Sequence, residues 1–261
     1  MNISEYINLH KIKKENYKNS KPFDHLVIDN FLNSDFAKLV EDEFFLYESD
    51  KWHVYSNQIE EKKTCNTWNN FESNTYKLFQ LLNSKEMVEK LSELVDESLF
   101  ADIGLHGGGL HIHGKGGNLN PHLDYSIHPK LGLQRKLNII IYVSSDRGLC
   151  ESGEGALGMW EGNANSPEKL VKQVNPVFNR AVIFDTTQNS WHGLVNPLSS
   201  SADYYRKSIA AYYLRVKPQN ADPRSRALFA PREGQFKDQN VIELIEKRAS
   251  EKSYSTVYKN R

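Results

Sequence analysis

This sequence predicts an α+β fold with a β-sandwich or barrel core, on three observations. Helical periodicity is concentrated in the first hundred residues. From residue 101 short strand-like pieces follow one another, separated by Gly, Asn, Pro and Ser clusters and with no helices between them. The chain of 261 residues is 39% apolar and 25% charged, long enough for a sizeable core, and shows no repeat or low-complexity linker.

Residues 1–21 are polar and rich in Lys and Asn, and are expected to form a loosely held lead-in to a single domain at 22–261. A short strand is expected at 25–29. Ser34 then caps a helix with Phe36, Leu39, Val40 and Phe44 on one face. Residues 51–76 have many Trp, Tyr, Asn and Thr but no clean period, so they read as an ordered loop; Trp52, Tyr55 and Trp68 make it a candidate lid. A second helix at about 84–99 places Met87, Val88, Leu91, Leu94, Val95 and Leu99 at helical spacing. Strands are expected near 105–113, 136–143, 156–160, 171–175, 180–186 and 206–216, giving a β core at about 101–216. A polar tail at 217–261 carries one more helix, at 241–250.

Composition excludes several classes. Lys+Arg and Asp+Glu balance at 33 each, so nothing points to nucleic acid or to an anionic membrane. The longest wholly apolar run, 139–143, is far too short to span a bilayer, and the N-terminus lacks an apolar signal core. Two cysteines, Cys65 and Cys150, cannot build a disulfide framework and predict a reducing, cytoplasmic setting. The pattern leaves the oligomeric state open.

Two near-motifs fail on inspection. "GLHIHGKGG" at 109–117 approaches a phosphate-binding loop, but residue 116 is Gly where a hydroxyl is required, and no amphipathic helix follows. His106-Gly107-Gly108-Gly109 resembles an oxyanion loop, yet there is no G-x-S-x-G nucleophile elbow. These glycines read as a strand and turn that let backbone pass close to a neighbour.

The segment "NPHLDYSIHP" carries the sharper signal. In an extended chain His122 and Asp124 project to one side, offering an imidazole and a carboxylate. A ferrous site with open cis positions needs one more imidazole, and His192 in "FDTTQNSWHGLVNP" supplies it after the strand at 180–185. In "YYRKSIAAYYL", Arg206 and Ser208 share a face, where a guanidinium and a hydroxyl can clamp a carboxylate. A dicarboxylate that chelates iron at one end and meets Arg206 at the other satisfies both demands, and 2-oxoglutarate is such a molecule. In "RKLNIIIYV", Asn138, Ile140 and Tyr142 share a face, with the Tyr142 hydroxyl a candidate donor to the distal carboxylate and Asn138 near it. His111, His113 and Trp191 are candidate substrate-lining residues.

Taken together, these segments resemble the Fe(II)/2-oxoglutarate-dependent dioxygenases, in particular the prolyl 4-hydroxylase-like branch. The resemblance runs over residues 22–216, through "FDHLVIDNFLNSDFAKLV", the H-x-D at 122–124, "LNIIIYV", "SGEGALGMW", "PVFNRAVIFDT", "WHG" and "RKSIAAYYL". It implies a double-stranded β-helix (jelly roll) core with flanking helices from the N-terminal part. It also implies Fe(II) on His122, Asp124 and His192, 2-oxoglutarate on Arg206 with support from Tyr142, O2 as co-reactant, and ascorbate as a candidate stimulant. The implied reaction hydroxylates a C–H bond of a small-molecule or peptidyl substrate, with release of succinate and CO2. Related halogenases lack the ligating carboxylate, so Asp124 argues for hydroxylation. The glycine-rich run at 107–117 departs from the animal prolyl hydroxylases, so prolyl specificity is not implied; amino acid, peptidyl residue, sugar and other small metabolites stay open. Two alternatives stand beside this reading: a non-catalytic jelly-roll binding module, which has no need of Arg206 and Ser208, and a zinc hydrolase on the same three residues.

Overall fold

The computed structural model describes residues 2–199, 201, 203–250, 252–253 and 257. The lead-in is not loosely held. Three single 3-10 turns set Ile3, Ile7, Ile12 and Tyr17 into the core, so its few apolar residues are the ones that anchor it. Strand β1 (His25–Ile28) and helix α1 (Ser34–Asp42) follow as expected, but the cap is Asn33, whose side chain accepts from the backbone N–H groups of Asp35 and Phe36. Leu39 is largely exposed, while Phe36 and Val40 are buried.

Residues 51–76 are not one loop. They form the hairpin β2 (His53–Ser56) and β3 (Glu60–Cys65), then lead into helix α2 (Ser73–Leu82), which buries Leu78, Phe79, Leu81 and Leu82. The helix start carries no local cap. The Glu43 carboxylate accepts from the backbone N–H groups of Asn74 (2.9 Å) and Thr75 (2.6 Å), so its cap comes from thirty residues upstream. Helix α3 (Lys85–Val95) is capped by Ser84 and ends at Asp96 in a left-handed conformation.

The remaining elements are β4 (Phe100–Ala101), β5 (Gly109–His113), β6 (Asn118–Leu119), β7 (His122–Leu123), β8 (Gln134–Tyr142) and α4 (Arg147–Ser152). After these come β9 (Leu157–Gly162), β10 (Pro167–Val174), β11 (Arg180–Asp185), β12 (Trp191–Leu194), β13 (Arg206–Arg215), β14 (Leu228–Phe229) and α5 (Gln239–Ala249). They make two antiparallel sheets facing each other. The major sheet runs β1-β11-β8-β13-β5-β3-β2, with β4 on β13 and β6 on β3; the minor sheet runs β10-β9-β12-β7-β14. One face of the major sheet, with Leu137, Ile139, Ile141, Ile183, Ile209 and Ala211, packs in one apolar cluster with Phe79, Met87 and Leu91 of the helices. The other face looks into the space between the sheets. No helix among the described residues is long and apolar enough to cross a membrane.

Gly109 shows what the glycine-rich run is for. Its φ is +102°, and a Cβ there would sit 2.1 Å from the Cys65 carbonyl oxygen. The residue permits β3 to pair closely with β5.

Candidate active site

Pairing of β12 with β7 sets His192 directly opposite His122, with ring centroids 4.3 Å apart. Each Nδ1 lies on a backbone carbonyl two residues earlier, Asn120 at 3.0 Å and Ser190 at 2.9 Å. Donation from Nδ1 leaves each Nε2 as the unprotonated donor, and both Nε2 atoms stand 3.7 Å from an Asp124 oxygen. One ligand atom from each of the three buried residues falls within 4.8 Å of the others. Burial and then the neighbouring His192 push His122 well below the usual imidazole range, and burial also lowers His192. Burial alone would raise Asp124, but Arg135 and the two imidazoles outweigh it and hold the carboxyl well below its ordinary value. Two neutral imidazoles and one carboxylate whose ligand atoms converge fit a divalent metal.

Arg206 is buried on β13. Its Nε donates to the Gly155 carbonyl at 2.7 Å, one terminal nitrogen reaches Ser208 Oγ at 3.4 Å and the other reaches the Tyr142 hydroxyl at 3.3 Å. Gly155 has φ +66°, and a Cβ there would lie 2.7 Å from Arg206 Cδ. All three contacts are to neutral groups, and burial lowers the guanidinium pKa. A buried cation whose partners are a carbonyl and two hydroxyls can pair with an anion that enters beside it. Arg206, Ser208 and the three candidate ligands all line one cavity of about 260 Å³.

The other expected residues divide. His113, paired in register with Arg206, lines the cavity fully buried with both ring nitrogens unpartnered; His111, opposite Ser208, also lines it. Asn138 turns towards the metal end, where its Nδ2 lies 3.4 Å from Asp124 Oδ2, and not towards Arg206. Tyr142 sits behind Arg206 in the apolar layer between the sheets. Trp191 does not line the cavity: it is fully buried, donates from Nε1 to Asn163 O at 2.7 Å and packs with Leu123 and Ala230. As the strand neighbour of His192, it necessarily faces the opposite side. Trp52 lies in the core and Trp68 packs half-buried against it; of these three aromatics Tyr55 alone lines the cavity, together with His53, Glu60, Lys62, Thr64 and Asn66 of the same segment.

Sequence reasoning missed Arg135 and the C-terminal wall. Arg135 is sandwiched between the Tyr125 and Tyr212 rings, 3.5 Å from each centroid, and bonds Asp124 Oδ1 at 3.1 Å. A basic residue opening a buried apolar strand was the available signal. The tail folds back so that β14 pairs with β7 and Phe229 stacks on His122. Arg232 pins it, donating to Asn118, Asn120, Leu119, Leu194 and Val195.

Residues 108–214, which hold all three candidate ligands and Arg206, match the 2OG-Fe(II) oxygenase superfamily. No curated protein matches the chain. Among solved structures, a Pseudomonas putida prolyl-4-hydroxylase aligns with TM-score 0.56 at 12% identity, covering 77% of this chain and 98% of its own. A prolyl 4-hydroxylase from Phytophthora capsici aligns with TM-score 0.56 at 18% identity, over 93% of this chain and 74% of its own. HygX from Streptomyces hygroscopicus, bound to nickel, 2-oxoglutarate and hygromycin B, aligns with TM-score 0.51 at 13% identity, over 73% and 82%. The double-stranded β-helix with N-terminal flanking helices is thus shared with these solved structures, and the segment 108–214 that carries the candidate site is similar to the 2OG-Fe(II) oxygenase superfamily.

Proposed function

We propose that this dioxygenase holds Fe(II) on His122, Asp124 and His192, binds the distal carboxylate of 2-oxoglutarate at Arg206, and hydroxylates a C–H bond of its substrate. The observation that carries the reading is the buried Arg206 guanidinium, without a carboxylate partner, in the same cavity as three convergent metal donors. A zinc hydrolase has no use for that cation, and a passive binding module has no use for the donor triad.

When bound together, the metal, the oxo acid and O2 supply oxidative decarboxylation to succinate and CO2, coupled to oxidation of the substrate. The chain's own residues position and shield. The Asn120 and Ser190 carbonyls fix the imidazole tautomers, and Arg135 holds one Asp124 oxygen so that the other is left for the metal. Arg206 and Ser208 pair with the carboxylate. Tyr142 accepts from Arg206 and holds the guanidinium from behind, in the apolar layer between the sheets. Phe229 and Phe184 pack on the two imidazoles and keep bulk water off them.

The test is an anaerobic titration of metal-free protein with Fe(II) and then 2-oxoglutarate, following the visible charge-transfer band of a chelated oxo acid. The band is expected in the wild type. Truncating one partner of a buried charge pair costs about 2–5 kcal/mol, so Arg206→Ala should raise the 2-oxoglutarate concentration needed by well over tenfold. A wild-type protein that binds Fe(II) but shows no band with 2-oxoglutarate would defeat the proposal.

A further inference from the structure

Two imidazoles of the cavity wall have no task in the function proposed above. Strand β5 turns His111 and His113 inward, and Nε2 of His111 and both ring nitrogens of His113 are buried without a hydrogen-bond partner. A buried polar atom left unpaired destabilises the folded chain, so an orphan that faces a cavity marks a place for a ligand group. The two differ in their neighbours. His113 is in register with Arg206, at the end assigned to the oxo acid. His111 lies between Ser208 of β13 and Thr64 of β3, on the side of β13 away from β8. It therefore stands beside the cosubstrate's column, one strand spacing of about 4.8 Å across.

Which nitrogen of His111 carries the proton follows from its surroundings. The backbone carbonyls of Gly107 and Gly108 bond the ring, and a carbonyl can only accept, so the nitrogen they meet is an N–H. Nε2, which meets neither, is a bare acceptor. Burial, then the positive charges of Lys62 and Arg206, push the imidazole down to about 3, so it stays neutral and keeps that lone pair. The matching ligand group is a donor, and the same two cations repel an ammonium. Thr64 refines the choice. Directly opposed residues on paired strands have Cβ atoms about 4.5–5.5 Å apart, so one ligand atom can reach both the Thr64 hydroxyl and the ring. A hydroxyl serves both, donating to one and accepting from the other, whereas an amide N–H leaves the threonine proton unused.

We propose that the primary substrate is an alcohol whose hydroxyl donates to His111 Nε2 and accepts from Thr64 Oγ1, which sets its reacting C–H bond towards His122, Asp124 and His192. The inference rests on the proposed function for the placing of metal and oxo acid.

The probes are cyclohexanol, cyclohexanone and cyclohexylamine, one ring with the polar group varied, added to protein loaded with Mn(II) and 2-oxoglutarate. The readout is the paramagnetic broadening of their ring protons. Cyclohexanol should saturate at concentrations about fivefold below the other two, the worth of one hydrogen bond. His111→Phe and Thr64→Val, measured separately, should each shrink the preference for cyclohexanol over cyclohexanone several-fold. Taking the ratio within each variant removes any general loss of metal or cosubstrate, which weakens all three probes alike. Between alcohols, stronger binding of myo-inositol marks a polyol substrate, and stronger binding of N-acetylserinamide a hydroxylated peptide side chain. Equal or tighter binding of the ketone or the amine, a preference undiminished in both variants, or no binding of any probe would each overturn the proposal. The failures stay distinguishable: a missing Fe(II)–2-oxoglutarate band defeats the function itself, whereas a normal band without selection of the alcohol defeats only this inference.

Discussion

Strands β8 and β13 carry two unlike surfaces back to back. Facing the helices are Leu137, Ile139, Ile141, Ile209 and Ala211, all part of one apolar cluster. Facing the minor sheet are Asn138 and Ile140, Arg206, Ser208 and Ala210, all lining the cavity. A strand alternates its side chains at every residue, so a single ten-residue stretch such as β13 can serve both purposes without compromise. The apolar face gains stability from burial that needs no particular partner. The cavity instead gathers the Arg135 and Arg206 guanidiniums, the Glu60 and Asp124 carboxylates and four imidazoles, His111, His113, His122 and His192, of which His111 and His113 are short of partners. Stability is spent there on groups held ready for something else, as expected of a site evolved for chemistry.

Paired substitutions break this comparison most sharply. Asp124→Ala should weaken Fe(II) binding by more than about 100-fold, since on the proposed assignment it removes a ligand outright and not merely a supporting hydrogen bond. It also strands the buried Arg135 guanidinium, so some loss of denaturant stability will accompany it. Ile139→Ala, one residue along from Asn138, should do the reverse. It should cost about 2–5 kcal/mol of folding free energy while Fe(II) affinity and the 2-oxoglutarate band stay unchanged. Anaerobic metal titration and urea unfolding of both variants would show whether the two faces are separable. Unaltered Fe(II) binding by Asp124→Ala would remove that residue from the metal site.

A smaller effect should appear with pH. Burial lowers His111 to about 3 and His113 well below its ordinary 6.5, so both stay neutral in the folded chain at pH values where the unfolded chain has protonated them. The unfolded state then binds more protons, so stability is full above about pH 6.5 and falls as the pH drops through the window down to about 3. The slope should approach about 1.4 kcal/mol per pH unit for each imidazole. Urea unfolding of the metal-free protein between pH 7 and 5 measures it. His111→Phe should flatten the curve if the cavity face is the source, and an unchanged curve would place the acid sensitivity elsewhere.

How far the sequence could be read follows the same division. That His122 and Asp124 face one cavity, and Arg206 and Ser208 the same one, was legible because period-two alternation is a local rule; that His192 comes to lie opposite His122 depends on pairing across seventy residues. Trp191 was misplaced although the same rule applied, since the neighbour of an inward-facing histidine must face outward. The β2–β3 hairpin was hidden because "EEKKTC" puts charges on both faces, one set of which lines the cavity. Helix α2 was hidden because its cap is Glu43, far from Asn74 in sequence. The C-terminal wall depends on Arg232 gathering carbonyl and amide oxygens from residues more than thirty positions away, which no local pattern reveals.

Trp191 offers the finest test of the division between the faces. Its ring packs on the outer side of the minor sheet, and the Nε1 bond to Asn163 O ends at an exposed residue that water can satisfy instead. Trp191→Phe should therefore cost about 2–3 kcal/mol in urea unfolding, about 1 from the hydrogen bond and the rest from the space left in a fully buried site. Because His192 points the other way on the same strand, Fe(II) affinity, the charge-transfer band and the slow substrate-free decarboxylation of 2-oxoglutarate should remain at wild-type values. A change in any of those three with little loss of stability would mean that Trp191 reaches the cavity after all. The parity of β12 would then have to be redrawn, and with it the side on which His192 presents its ring.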